Sequence, residues 1–314
     1  MTRLKLLALL PLAISSVAFG ADAASTGSEY LHMTSAGKWE VSPMINYQDY
    51  TIKYTNPTNA GLDKAEVTGV VYGVKGEYGI NEMFSVGINL AMENDSIKSS
   101  AGSVSNTGTA SGLNNIDLYG NGKNDLFGGT FRYGLDFSIS PGSTKQDLSS
   151  GAFQGSYGTS TGGVDAIPFV AWEMAMGPGI LGAKFSYSFQ LTDRKYNSTP
   201  SGNANLADSE KGDSAQSLTA FYEWMMNNWS LGLAVSYNGV SGSKLTMGNG
   251  SSVTADNGHA GIFAEVYAPI VLADNITLIP NAGFGDNGEI LIAEQGNVKS
   301  YNGWNLSVAA RFGF

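Results

Sequence analysis

The stretch Trp304-Asn-Leu-Ser-Val-Ala-Ala-Arg-Phe-Gly-Phe314 decides the fold. Read alternately, Trp304, Leu306, Val308, Ala310, Phe312 and Phe314 fall on one face, and Asn305, Ser307, Ala309, Arg311 and Gly313 on the other. A period of two belongs to the β-strand, whose successive side chains point to opposite sides of the sheet. One side of this strand suits hydrocarbon. The other carries a charge and hydrogen-bonding groups, and suits water.

The same pattern recurs upstream. Phe84, Val86, Ile88, Leu90 and Met92 alternate with Ser85, Gly87, Asn89, Ala91 and Glu93, and Phe131, Tyr133, Leu135 and Phe137 alternate with Arg132, Gly134, Asp136 and Ser138. Leu181, Ala183, Phe185, Tyr187 and Phe189 alternate with Lys184, Ser186, Ser188 and Gln190, and Trp229 to Tyr237 repeat the rhythm against Ser230 to Asn238. The spacing predicts strands at 38–54, 66–79, 83–97, 112–122, 127–140, 164–175, 180–192, 214–225, 229–245, 258–268, 275–284 and 303–314, with a change of phase near Asp49. Short turns are expected near 80–82, 123–126, 176–179, 226–228 and 269–274. Long polar connections are expected near 55–65, 98–111, 141–163, 193–213, 246–257 and 285–302. Strict alternation of short and long connections, apolar outward residues and polar or small inward ones are the marks of a barrel that crosses lipid. The predicted fold class is all-β, a transmembrane antiparallel up-and-down barrel of about 12 strands. An even strand number puts both termini at the short-turn end, which is the periplasmic end in such barrels.

Composition agrees. Only 14% of residues are charged and 41 are glycine, whereas a soluble domain carries about 25% charged residues. No segment approaches the roughly 18 apolar residues of a membrane-spanning helix. Arg3 and Lys5 precede an apolar run from Leu6 to Phe19, and the small residues Ala18, Gly20, Ala21 and Ala23 follow a cleavage pattern. The expected organisation is a signal peptide over 1–20 (cleavage after Gly20, with Ala23 the alternative), a short polar periplasmic leader over 21–37, and the barrel over 38–314. The chain holds 17 basic and 27 acidic residues. Losing Arg3 and Lys5 with the signal peptide leaves 15 bases against the same 27 acids, a net −12, which argues against nucleic acid as a partner. With no cysteine, thiolate metal sites, disulfides and lipid attachment through cysteine are excluded.

The terminal residues resemble the C-terminal assembly signal of bacterial outer-membrane barrels, which ends in Phe with apolar residues at alternate positions before it. Leu306, Val308, Ala310, Phe312 and Phe314 carry the match. The resemblance implies recognition by the barrel-insertion machinery and residence in the outer membrane of a Gram-negative bacterium, among its lipids and lipopolysaccharide. A second stretch, Ser111-Gly-Leu-Asn-Asn-Ile-Asp-Leu-Tyr119, is similar to a Gly-x-Gly-Asp-x-x-Leu strand motif of the phenol-degradation meta-pathway barrels and related hydrophobic-compound transporters. Asn114 and Asn115 stand where that motif has Gly and Asp.

Strand parity places Glu40, Lys75, Glu77, Glu93, Asp117, Lys123, Arg132, Asp136, Asp165, Glu173, Lys184, Glu223, Glu265 and Arg311 inside the barrel. Of these, Lys75, Glu77, Glu93, Asp117, Arg132, Asp136, Glu173, Lys184, Glu223, Glu265 and Arg311 are the candidate pore lining. The inward glycines Gly73, Gly87, Gly134 and Gly232 read as space left for a narrow channel, and Arg132 and Asp136 as a local ion pair. Glu40 and Arg311, both inward, are expected close together where the first and last strands meet. Trp39, Tyr78, Phe84, Trp224, Trp229 and Trp304 sit at strand ends, where amphipathic rings form an interfacial girdle. Loop residues Asp208, Glu210 and Asp213 read as solvated. Lys145, Lys195 and Lys211 stand where lipopolysaccharide phosphates could be met.

The two histidines, His32 and His259, have no serine motif beside them. No enzyme and no cofactor are therefore expected, and a membrane lipid hydrolase is the remotest reading. Nine inward acids against five inward bases point to passage of small solutes through a narrow, weakly cation-selective pore. The competing reading is a structural or surface-recognition barrel with a closed lumen. Deleting Phe314 is expected to lower the amount of heat-modifiable barrel recovered from outer membranes. Normal recovery of the truncated chain would remove the reading of residues 304–314 as an assembly signal.

Overall fold

A computed structural model describes residues 28–54, 64–101, 104–141, 144–147, 156–157, 162–199, 207–212, 214–247, 249–256, 259–287, 290–292 and 296–314. The expected signal peptide lies outside the described residues, as does Asp213. The side chains of Lys145, Lys195, Asp208, Glu210 and His259 also lie outside the description.

Twelve strands form the ring: β1 (Trp39–Tyr54), β2 (Lys64–Asn81), β3 (Phe84–Ala101), β4 in two pieces (Val104–Leu113 and Ile116–Leu126), β5 (Gly129–Ile139), β6 (Val164–Met176), β7 (Gly179–Gln190), β8 (Ser214–Met225), β9 (Ser230–Val240), β10 (His259–Tyr267), β11 (Ile276–Asn287) and β12 (Gly296–Gly313). Each pairs antiparallel with the next. β12 closes on β1, with Glu40 facing Gly313 and Ile45 facing Val308. Closure removes the two edges that an open sheet would present, so ladder groups find partners all round the ring. Arg311 and Glu40 both point inward, with Arg311 one inward position further along its strand than the residue facing Glu40.

The pleat sorts the side chains as the alternation predicts. Tyr72, Met92, Leu218 and Leu306 on the outer face are more than 50% exposed, while Glu77, Glu223 and Arg311 on the inner face are 3% exposed or less. Ring pairs mark the rims of the apolar outer face. Trp39 meets Tyr78 at 4.7 Å and Tyr222 meets Trp224 at 4.6 Å near the short turns, and Tyr47 meets Trp304 at 5.3 Å towards the other end.

Three expectations need correction. The register of β1 on β2 runs unbroken from Trp39 to Lys53, so the phase does not change at Asp49. Asp49 is an outward residue beyond the apolar layer, and Tyr50 keeps the inward parity. The turn expected at 123–126 is strand. The chain reverses at Phe127 and Gly128, whose φ values of 53° and 74° give the double left-handed geometry of a tight hairpin turn. In the stretch 98–111 the described residues are strand, where a loop was expected. Its Ser/Thr-rich sequence lacks an apolar face, yet Ser96–Ala101 pairs residue for residue with Val104–Thr109, because ladder hydrogen bonds come from the backbone and not from side-chain polarity. Short strands also form within the other long connections, such as Ser243–Met247 on Ser252–Asp256.

The inward glycines do not leave space either. A Cβ added at Gly87, Gly134, Gly182, Gly232 or Gly283 would overlap, respectively, Tyr119, Phe169, Phe221, Tyr267 or Phe263, each on a neighbouring strand. Gly73 is covered by Met44 in the same way. Each glycine is a flat patch of wall on which an adjacent ring lies, so the rings line the barrel instead of crossing it. Replacing Gly182 with Val should push Phe221 off the wall and lower stability by about 1–3 kcal/mol. Combining it with Phe221→Ala should cost less than the sum of the two changes. Heat-modifiability midpoints of the four proteins test this, and additive effects would refute the stacked seat.

Candidate functional site

Of the stretch expected as a short leader over 21–37, residues 28–37 are described. Ser28 to Ala36 enter the lumen from the short-turn end. Ser28, Glu29, Leu31, His32, Met33 and Thr34 are all buried. Two glycines admit them. Gly37 has a φ of 70°, which lets the chain double back, and its N–H donates to the Gly79 carbonyl at 2.7 Å. A Cβ on Gly79 would strike the Ser35 carbonyl, so any larger residue there would block the entry.

Once inside, the segment's backbone needs acceptors, and the wall supplies carboxylates. The Thr34 N–H donates to Glu77 at 3.0 Å, the Glu29 N–H to Glu223 at 2.7 Å, and the Ser28 N–H to Glu173 at 3.0 Å. The Ser28 hydroxyl donates to the same Glu173 oxygen at 2.5 Å. Glu77 lies on β2, Glu173 on β6 and Glu223 on β8, so the segment crosses from one wall to the opposite one. Seven residues of chain can span roughly 20 Å, enough for the crossing. The wall holds the second oxygen of each glutamate. Arg132 donates to Glu173 through Nε and a terminal nitrogen, at 3.0 and 2.8 Å. Lys75 meets Glu77 at 2.9 Å, with the Tyr119 hydroxyl at 3.1 Å. Ser230 donates to Glu223.

Side chains of the segment complete the closure. Tyr30 stacks on Phe221 at 4.8 Å and lies 6.1 Å from Tyr267, while Leu31 packs with Ala171, Phe221, Ala234 and Tyr267. Arg311 pairs with Glu29 at 3.3 Å. His32 lies 2.7 Å from Glu40, which also accepts from the Thr34 hydroxyl at 3.1 Å. Burial, then the positive charges of Arg311, Lys75, Arg132 and Lys123, hold the His32 imidazole well below its ordinary pKa range. Nε2 is the ring nitrogen that faces the Glu40 carboxylate.

The candidate lining residues therefore divide. Glu77, Arg132, Glu173, Glu223 and Arg311, with Lys75, gather around the segment. Glu93, Asp117, Asp136, Lys184 and Glu265 line the lumen beyond it. Arg132 pairs across the sheet with Glu173 and not along its own strand with Asp136. Four residues of strand separate charges by about 13 Å, whereas a diagonal cross-strand neighbour, as Glu173 is to Arg132, lies about 7–8 Å away, within reach of long side chains. Lys184 and Lys75 lie over the rings of Phe169 and Tyr119, at 4.7 and 5.2 Å. Asp117 accepts from Asn89 at 3.1 Å.

Parity reasoning missed three participants. Asp95 shares the inward phase of Glu93. Arg194 reaches back from a long connection to Asp165 at 3.3 Å. The segment itself escaped because its length is too short to read as a domain, although the run Tyr30-Leu-His-Met33 was the least polar part of the leader.

No family model and no curated protein matches the chain by sequence. Solved structures do match by shape. An outer membrane channel from Pseudomonas putida F1 superposes with a TM-score of 0.61 at 11% identity, covering 94% of this chain and 100% of that one. The transport unit of the autotransporter AIDA-I from Escherichia coli superposes with a TM-score of 0.55 at 10% identity, covering 88% of this chain and 90% of that one. At such identities the likeness is one of fold. By that measure, and by its closed ring of twelve antiparallel strands with an apolar outer face, the chain is an outer-membrane-type β-barrel.

Proposed function

We propose that this barrel is a channel of the Gram-negative outer membrane that passes small solutes, with both termini in the periplasm and its own N-terminal segment as the occluding element. One observation carries the reading: the lumen is lined by charged and polar groups, and what blocks it is a short segment held by reversible contacts rather than by the wall. A barrel meant only as a scaffold could be filled by large inward side chains. Here the wall rings lie flat on glycines, and the obstruction is a removable piece of chain. The reading supports no catalytic role for His32, whose ring is engaged with Glu40.

The acid excess of the lining favours cations, because fixed charge in a confined space raises counter-ion concentration. Glu93 and Asp117, beyond the segment, form no ion pair among the described residues, while Lys184 lies near enough to Asp136 to offset part of its charge.

A second reading, lateral passage of apolar solutes, is favoured by the wall at Asn114 and Asn115. Above this break the first piece of β4 stays paired with β3 while β5 ends at Ile139. This is the stretch that resembles the hydrophobic-compound transporters. A disulfide engineered across that gap should abolish lateral passage and leave ion conductance unchanged.

In planar bilayers the wild-type chain should give a small conductance. Gly79→Val, which alters no charge and obstructs the segment's entry, should raise it severalfold, as should deletion of residues 28–36. Reversal potentials in a salt gradient should show weak cation preference that fades as salt rises. Anion preference would overturn the selectivity. If the deleted chain conducted no better than wild type, the closed-lumen structural reading would replace the channel.

A further inference from the structure

On the outer face of β1 to β4 the register arranges side chains in rows, and the rows change character towards the long-connection end. Ile45, Tyr72, Met92 and Leu113 face one another across the four strands, and all are apolar and exposed. Two residues further along, Tyr47 and Val70 stand beside Asn94 and Ser111. In the next row Thr68, Ser96 and Thr109 bring three hydroxyls into register. Beyond them Glu66 faces Lys98, and Lys53 faces Lys64. The apolar layer thus passes into amides and hydroxyls, and these into charge.

Two features set this face apart. The amide and hydroxyl rows border a groove of about 480 Å³, with Tyr47 at its edge. Tyr47 is also the residue whose ring meets Trp304 where the apolar face ends. The second feature is the charge. Lys53 and Lys64 stand directly opposite one another, and like charges so placed destabilise a sheet. Glu66 serves two lysines, pairing with Lys64 and lying 4.0 Å from Lys98. Lys53 is exposed and has no ion-pair partner among the described residues. Asp49 lies four residues down β1 from it, about 13 Å away at the rise of a strand. Three lysines therefore share one carboxylate, and an anion placed among them relieves their repulsion.

We propose that this face of β1 to β4 docks one lipopolysaccharide molecule, with its acyl chains on the apolar row, its sugars in the groove and its phosphates on Lys53, Lys64 and Lys98. The order of the rows is the order in which such a lipid presents acyl chain, sugar and phosphate. Height separates it from a phospholipid. From the Tyr47 row to the Lys53–Lys64 row is six residues, about 20 Å of strand and roughly 15 Å of height at a tilt near 40°. A phospholipid headgroup layer is only about 5–7 Å deep, and it offers no sugar hydroxyls to the Thr68–Thr109 row. The inference rests on the orientation proposed above, which puts the long-connection end of the strands at the outer leaflet.

The test follows the heat-modifiability midpoint of the full-length barrel, refolded in detergent, as purified lipopolysaccharide is added. Wild type should respond at concentrations at least about tenfold below those needed with the same material dephosphorylated, or with phosphatidylglycerol. The triple variant Lys53→Gln, Lys64→Gln, Lys98→Gln should lose that preference. Ser96→Leu, which fills the groove and alters no charge, should weaken binding of both forms. Lys211→Gln with Lys244→Gln, which removes two lysines from the connections beside β8 and β9, should respond as wild type does. Equal losses in the two lysine variants would overturn the site, as would equal responses of wild type to the three lipids. That second comparison needs no variant and decides the matter should the triple variant fail to refold. Orientation is tested separately. Ser251→Cys puts a single thiol into a chain without cysteine, in the long connection after β9, for labelling on whole cells with an impermeant maleimide. Labelling only after the outer membrane is opened would overturn the orientation. Labelling from outside, with no lipopolysaccharide response in detergent, would overturn this site alone.

Discussion

The whole molecule depends on one constraint: a backbone placed in hydrocarbon has no water to bond with, so its N–H and C=O groups must find partners in the ladder. A strand sheet meets that demand only by closing, and the β1–β12 seam is where it closes. Closure then dictates chemistry. The pleat sends alternate side chains outward into lipid, and these must be apolar. Charged side chains at the level of the apolar band are driven inward, into the cylinder. The buried glutamates, arginines and lysines of the lumen are thus a consequence of the ring.

That crowding of charge explains the fate of the N-terminal segment. Buried carboxylates are tolerated only when hydrogen-bonded or paired. Glu77, Glu173 and Glu223 each take a backbone N–H of the segment on one oxygen and a wall partner on the other, and the Tyr267 hydroxyl also donates to the segment-facing oxygen of Glu223. The segment gains acceptors for amides that the lumen would otherwise leave unsatisfied, and the wall gains donors. Contacts of this kind recognise main chain more than side chain. Sequence specificity enters through Tyr30 and Leu31 against Phe221 and Tyr267, and through the Gly37–Gly79 contact at the rim.

Wall glycines show how one residue type serves a purpose opposite to its first reading. By size alone an inward glycine widens a channel. In the ring it seats an aromatic from the adjacent strand, because cross-strand neighbours are the nearest side chains and a flat ring fits where no Cβ stands. Lumen width is therefore set by pairs, such as Gly182 with Phe221, and a list of inward residues cannot reveal it. The same reasoning applies to charge: Arg132 looks paired with Asp136 along the sequence, and the sheet pairs it with Glu173 instead.

The number of strands, their order and the inward and outward faces were legible in the sequence, since each follows from a local period of two and from turn residues near in sequence. The inward parity of the charged residues from Lys75 to Arg311 was legible on the same ground. What remained hidden depends on contacts between distant residues. Polar strands such as Ser96–Ala101 carry no side-chain period and are held by backbone pairing alone. The register that brings Gln48 to Glu93 and Asp95, and Glu173 to Arg132, is a property of the closed sheet. The path of Ser28–Ala36 through the lumen is decided by acceptors on β2, β6 and β8, about 40 to 195 residues away along the chain. Local pattern determines which face each strand shows, and only ring closure determines what those faces enclose.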